Sequence, residues 1–407
     1  MMELFADLHL HSRYSRATSK ELSVDNLEKY ARLKGINLLG TGDFTHPLWF
    51  QELKEKLKEE NGILRTSSGF NFVLQAEVAN IFSQDGKLRK VHNVILARDF
   101  EVASQINELF SKKGNLKADG RPIFGKYPCV NMAEDLMKID ADIEIIPAHA
   151  WTPWFSIFGS MSGFNSVEEC FLDKSKHIHS LETGMSSDPA MNWRLSKIDK
   201  YSLVSNSDSH SFWPWRMGRE CNVFDLPDIT YKNLIDAIRT QKGFLYTIET
   251  SPNYGKYHFD GHRICNFSCS PKESAKLNDI CPVCKRKMTI GVAHRVDELA
   301  DRQEGFVLNG AHPFKTLLPL HELIAPIVNS SVSSKRVWQE YNKLIERFGT
   351  EFEILLNAPL AELRRFATEK IASAIIQNRA GKIRVKPGYD GEYGQAIIES
   401  DKQETLF

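Results

Sequence analysis

Spread over 407 residues, the chain is long enough for two or three domains. Its 42% hydrophobic and 26% charged residues are those of a soluble globular protein and exclude wholesale disorder, collagen and coiled coil. The 52 basic and 52 acidic side chains cancel, so overall charge points to no polyanionic partner.

No apolar stretch approaches the roughly 18 residues of a membrane span, and Met1–Asp7 has neither a basic leader nor a cleavable apolar core. An intracellular protein with no membrane partner is expected. Residues 1–250 alternate short apolar runs with helical stretches. Strands are predicted at Glu3–Leu8, Leu38–Thr41, Phe72–Val78, Asn93–Ala97, Ile143–Ala148, Ser180–Glu182, Ser202–Ser205 and Phe244–Ile248. Between the first two, Ser23 reads as an N-cap, Leu27, Tyr30, Ala31 and Lys34 lie on an amphipathic helix, and Gly35 ends it. Seven or eight strand–helix units predict right-handed crossovers, a parallel sheet, and a barrel in preference to an open sheet. The pattern breaks near Ser251-Pro252-Asn253-Tyr254-Gly255. A Cys-rich segment follows, and beyond Ala300 helices are predicted, most clearly over Val332–Phe348 and Leu360–Asn378. The expected domains are a barrel at 1–250, a cysteine module at 251–295, a basic helical region at 296–395 and a mobile tail at 396–407.

Asp7-Leu8-His9-Leu10-His11-Ser12 follows the first strand, and side chains two apart in extended chain share a face. Asp43 and His46, Glu77, His92, His149, Glu182, and Asp208 with His210 follow at later strands. Nearly every strand thus delivers a His, Asp or Glu to one edge, where barrel enzymes carry their chemistry. A single histidine after a strand is usually a hydrogen-bonded loop residue, but the recurring His-x-His and Asp-x-His pairs make coincidence a poor account. Imidazole and carboxylate donors suit zinc, manganese or iron, with a shared carboxylate bridging the ions.

Four motifs resemble the polymerase-and-histidinol-phosphatase (PHP) superfamily of metal-dependent phosphoesterases: Asp7-Leu8-His9-Leu10-His11-Ser12, Thr41-Gly42-Asp43, Pro147-Ala148-His149-Ala150 and Asp208-Ser209-His210. The resemblance implies an α/β fold, a distorted (β/α)7 PHP barrel, holding two or three divalent ions (zinc, manganese or magnesium). It assigns His9, His11, Glu77 and Asp208 to a first ion and Glu77, His92 and His149 to a second. A third would use His210 with Asp43 or His46. The second motif usually reads Thr-Asp-His, and here Gly42-Asp43-Phe44 stands in its place; Ala17 stands where some relatives carry another ligand.

Cys265-x3-Cys269 and Cys281-x2-Cys284 have the spacing of a structural zinc site, with His258 and His262 as alternatives to a thiol. Residues 261–295 hold seven basic against two acidic residues, and so do residues 360–389. Such patches in a neutral chain fit a phosphate backbone. This layout, with Gly40-Thr41-Gly42-Asp43-Phe44-Thr45-His46-Pro47 and Pro387-Gly388-Tyr389-Asp390-Gly391-Glu392-Tyr393-Gly394, resembles the endonuclease Q family over residues 1–395. The likeness implies incision of double- or single-stranded damaged DNA 5′ to deaminated bases (uracil, hypoxanthine, xanthine) and abasic sites. Asp208, Glu77 and His210 would be catalytic, with one structural zinc on the cysteines. Asp7 or Glu182 would orient a ligating imidazole. A damaged base must leave the duplex to be inspected, so Trp151 or a neighbour is expected to stack on or wedge into the DNA. Trp154, Phe155, Trp213, Arg216, Arg364, Arg365 and Lys386 are further candidate contacts. Gln403-Glu404-Thr405-Leu406-Phe407 matches the first five positions of a sliding-clamp peptide.

Two rivals remain. A small-molecule phosphatase of the superfamily has little use for a cysteine module and two basic patches. A non-catalytic DNA-binding protein with a decayed site is opposed by the near-complete ligand set.

Overall fold

The computed structural model describes residues 3–398, so the expected clamp peptide at Gln403–Phe407 lies outside the described residues. Among those residues, no helix is long and apolar enough to cross a membrane. Strands form at β1 (Leu4–Asp7), β2 (Leu38–Gly40), β3 (Asn71–Gln84), β4 (Lys87–Ala97), β5 (Glu144–Pro147), β6 (Ser180–Glu182), β7 (Ser202–Val204), β8 (Cys221–Phe224) and β9 (Phe244–Glu249). The first helix runs from Val24 to Lys34 as expected. Ser23 Oγ accepts the Asn26 amide, and Gly35, at φ 97°, donates to Ala31 and Arg32 carbonyls. That left-handed turn favours glycine, and a Cβ there would lie 3.0 Å from Thr350 Oγ1.

The sheet is mixed, which corrects the expectation of a parallel one. β1–β2 and β2–β3 are parallel, whereas β3–β4, β4–β5, β1–β8 and β8–β9 are antiparallel. The physical reason is the two-residue link Asp85-Gly86, with φ of 51° and 71°. Positive φ at both positions matches the right-handed strand twist and closes a tight hairpin. The hairpin extends the predicted short strands to fourteen and eleven residues. The parallel pair β6–β7 sits between the two flanks of the sheet. Ala150 donates to the Glu182 carbonyl on one side, and Ser205 N donates to Asn222 Oδ1 on the other.

Ala6, Leu38, Val73, Val94, Ile146, Val204 and Phe224 come from seven different strands and meet in one buried apolar cluster. Leu234, Ile235 and Ile238 of the helix Tyr231–Thr240 close it. Full burial of each large aliphatic side chain contributes about 1.5–3 kcal/mol. Polar residues are thereby left to the opposite rim.

From residue 320 to 379 the chain is helical, at Leu320–Ile327, Lys335–Phe348, Glu351–Leu356, Leu360–Phe366 and Glu369–Arg379, and the expected helical region ends there, in an antiparallel pair of strands at Arg384–Lys386 and Gln395–Ile397. The stretch expected to run unbroken over Leu360–Asn378 is two helices, because Thr368 adopts an extended N-cap and its hydroxyl accepts the Ile371 amide. These helices dock through a buried ion pair: Lys34 Nζ lies 2.6 Å from Glu351 Oε1 and donates to the Pro214 carbonyl at 2.8 Å.

Candidate metal centre

Glu77 is the hub of the rim. It is fully buried in β3, and register places Ala79 opposite His92, so Glu77 and His92 share a face. Glu77 Oε1 lies 2.7 Å from His92 Nδ1, 3.1 Å from His149 Nε2 and 3.8 Å from His9 Nε2. Its Oε2 accepts from Arg121 Nη1 at 2.7 Å and lies 3.5 Å from His11 Nε2. Asp208 Oδ1 lies 3.0 Å from His11 Nε2, 3.7 Å from His9 Nε2 and 3.8 Å from His210 Nδ1. Residues of β3 and β4 and of the loops after β1, β5 and β7 therefore converge. Asp43, His149 and Asp208, each just beyond a strand, hold φ of 31°, 31° and 47°. Such left-handed backbone at non-glycine residues costs about 1–3 kcal/mol each and is concentrated at functional sites.

Surrounding carboxylates orient the imidazoles. Glu182 Oε1 sits 3.0 Å from His9 Nδ1, which turns His9 Nε2 inward, where it has no hydrogen-bond partner. Asp43 Oδ1 does the same for His11 Nδ1 at 3.1 Å, while Asp43 Oδ2 accepts from Ser12 N and Ser15 Oγ. Asp43 thus faces His11 and stands behind the cluster. Asp7 has a different task from the one expected: its oxygens accept the Ser207 and Gly218 amides and tie the Asp208 loop to β1. His46 stacks on Tyr14 at 4.1 Å, outside every ligand group formed by the described residues. Gly42 fits its departure from the usual motif, because a Cβ there would meet the His11 carbonyl carbon at 2.9 Å.

Charge is concentrated here. Burial would raise the Glu77 carboxyl, but His92, Arg121 and His149 hold it well below the usual range. Asp208 is likewise held low against burial by His11, His9 and His210. Burial would lower His9, yet Glu182, Asp208 and Glu77 raise it to about 9. His11 is raised against burial to about 10 by Asp43, Asp208 and Glu77. Burial leaves His92 at about 4. His9, His11 and Glu77 form one potential cation-binding group, Glu77, His92 and His149 a second, and His11, Asp208 and His210 a third. An inward buried nitrogen without a partner, among imidazoles raised by acids, is what a divalent cation would satisfy.

A cleft of about 450 Å³ opens beside this cluster, walled by His92, His149, Trp154, Phe155, Arg219 and Tyr393 among others. Trp151 is not available to DNA, contrary to expectation: it is 1% exposed and its indole donates to Asn192 Oδ1. Trp213 stacks on Trp215 and meets Trp338 edge-on beneath the C-terminal helices. Arg364 pairs with Glu369 and Arg365 with Glu362, which reduces that basic patch. Arg216 lies over the Tyr393 ring, and Lys386 lines a groove with Arg263.

Away from the rim, His262, Cys265, Cys281 and Cys284 bring one imidazole and three thiols close enough together to hold an ion. His262 Nδ1 is 3.1 Å from Cys265 Sγ and 3.3 Å from Cys284 Sγ. Cys269 pairs in register with Asp260, which puts it on the same face of the two-stranded sheet as His262, and it packs in one cluster with Cys281.

The family model described as the MJ0043 C-terminal domain matches residues 319–382. The uncharacterized protein MJ0043 of Methanocaldococcus jannaschii is 31% identical over 263 residues, which are 63% of this chain and 32% of that protein. The chain thus spans about a third of that relative's length. A crystal structure of the lesion-specific endonuclease PfuEndoQ from Pyrococcus furiosus superposes with a TM-score of 0.87 at 30% identity, over 100% of this chain and 98% of that one. The chain belongs to the endonuclease Q family. A second endonuclease Q structure, bound to a 27-mer duplex substrate with an abasic lesion at the active site, matches at a TM-score of 0.88 and 30% identity over 98% of both chains.

Two residues around this rim, Arg121 and Tyr393, were not singled out from the sequence. Arg121 reaches Glu77 from a loop with no motif, so nothing in the sequence marked it. Tyr393 lies within a quoted segment, but its position at the cleft depends on the fold.

Proposed function

We propose that the protein is a metal-dependent DNA-repair endonuclease that hydrolyses the phosphodiester 5′ to deaminated bases (uracil, hypoxanthine, xanthine) and abasic sites. The observation that carries this reading is Glu77 standing between His9 and His11 on one side and His92 and His149 on the other. His9, His11, Glu77 and Asp208 would hold one divalent ion, Glu77, His92 and His149 a second, and His210 with Asp208 and His11 a third. Bound divalent ions lower the pKa of water and neutralise charge developing on phosphate oxygens. Asp208, kept ionised and partly exposed, accepts a proton; Glu182 and Asp43 fix the tautomers of His9 and His11. The seven-strand apolar cluster supports a distorted barrel at 1–250, followed by a zinc module at 251–295 and a basic helical DNA-binding region at 296–395.

Manganese-, magnesium- or zinc-loaded protein should nick uracil-, hypoxanthine- and abasic-site duplexes 5′ to the lesion and leave a simple phosphomonoester intact. Turnover of the monoester alone would favour a small-molecule phosphatase. Asp208→Ala should abolish incision while lesion DNA still binds in a mobility-shift assay; full activity in that variant would remove Asp208 from the chemistry.

A further inference from the structure

One wall of the cleft carries cations that the metal cluster does not use. Arg219 is 8% exposed and lines the cleft. Its Nε and Nη2 donate to the Ser207 carbonyl, while buried Nη1 has no hydrogen-bond partner. Lys256 also lines the cleft, and its ammonium lies 4.6 Å from the centre of the Tyr393 ring. Tyr393 arrives on the C-terminal segment, more than 170 residues beyond Arg219 in the chain. No carboxylate of the described residues forms an ion pair with Arg219 or Lys256. Burial and Glu249 push the nearby Glu220 carboxyl up. Burial would raise the Tyr393 phenol, yet Arg219, Lys256 and Arg216 hold it low, in keeping with their convergence.

We propose that Arg219, Lys256 and Tyr393 form an anion subsite that takes an uncleaved phosphate of the substrate strand, next to the linkage presented to the metal-facing residues. The inference rests on the nuclease reading. A buried guanidinium N–H without a partner, an ammonium and a phenol O–H are donors that a phosphate oxygen satisfies. A neutral nucleobase would leave the two charges uncompensated. Trp154 and Phe155, which also line the cleft, suit a base better. Arg219 has a second duty, because its grip on the Ser207 carbonyl sets the loop that presents Asp208.

The test is a charge-removal cycle. Abasic-site duplexes carrying one neutral methylphosphonate at each linkage near the incision point are compared in wild type, Lys256→Met and Tyr393→Phe. Loss of a charge-assisted hydrogen bond predicts about a 10- to 100-fold fall at one linkage in wild type. Lys256→Met should suffer a similar fall with the fully charged duplex and less than about twofold more at that linkage. Losses that multiply at every linkage would overturn the subsite. Should wild type incise none of the duplexes, the nuclease reading fails, and the same cycle read as binding by fluorescence anisotropy still decides the subsite.

Discussion

At the scale of single residues, one carboxylate governs the site. Glu77 reaches two pairs of imidazoles and a guanidinium without leaving the interior. In the absence of cations, protons on His9 and His11 balance the acids. Both imidazoles sit above the ordinary value of 6.5, at about 9 and about 10, because nearby carboxylates outweigh burial. A histidine whose folded value is raised stabilises the fold fully below about pH 6.5 and loses that contribution as pH climbs through the folded value. Chelated protein should therefore lose stability on the order of a few kcal/mol between pH 7 and 10 and melt at a progressively lower temperature. Loading with manganese should release protons and flatten that slope. Melting curves across the pH range, with and without chelator, check both outcomes.

At the scale of elements, the cysteine module shows what spacing reveals and what it leaves out. Cys281-x2-Cys284 leads correctly to a turn that brings two thiols together, and Cys265 joins them. Spacing between cysteines says nothing of His262, whose Nδ1 lies 3.1 Å from Cys265 Sγ and 3.3 Å from Cys284 Sγ. Cys281→Ser should lose the module's metal, whereas Cys170→Ser, outside the module, should keep one zinc per chain; elemental analysis of the purified variants distinguishes them. The same contrast runs through the rest of the fold. His9, His11, His149, Asp208 and Glu182 were legible because they close or follow recognisable apolar runs. Cys221–Phe224 was not, since four residues carry little periodicity and its pairing with β1 is antiparallel and distant in sequence. Asp85-Gly86 held a clear hairpin signal that an all-parallel expectation obscured. Trp151 and Trp213 look like surface aromatics after a ligand, and only tertiary packing reveals what covers them.

At the scale of the molecule, the C-terminal helices are part of the site's foundation. Glu351 Oε1 receives both Lys34 Nζ and the Leu320 amide, while Lys34 also holds the carbonyl of Pro214, four residues past His210. The ion pair is almost wholly removed from solvent, at 1% and 0% exposure. Removing one partner strands the other charge, so Lys34→Met should cost about 3–5 kcal/mol. Lys34→Met combined with Glu351→Leu should recover much of that loss. Urea denaturation of the single and double variants measures both.

Tyr393 also has a consequence for how the protein is made. The polypeptide is synthesised from its N-terminus, so His9 through His210 leave the ribosome long before the phenol that completes the cleft wall. A nascent or prematurely released chain therefore owns the cation-binding rim without the enclosure that would seat a strand beside it. The wall of the cleft is thus the last part of it to be synthesised, because Tyr393 lies 183 residues beyond His210.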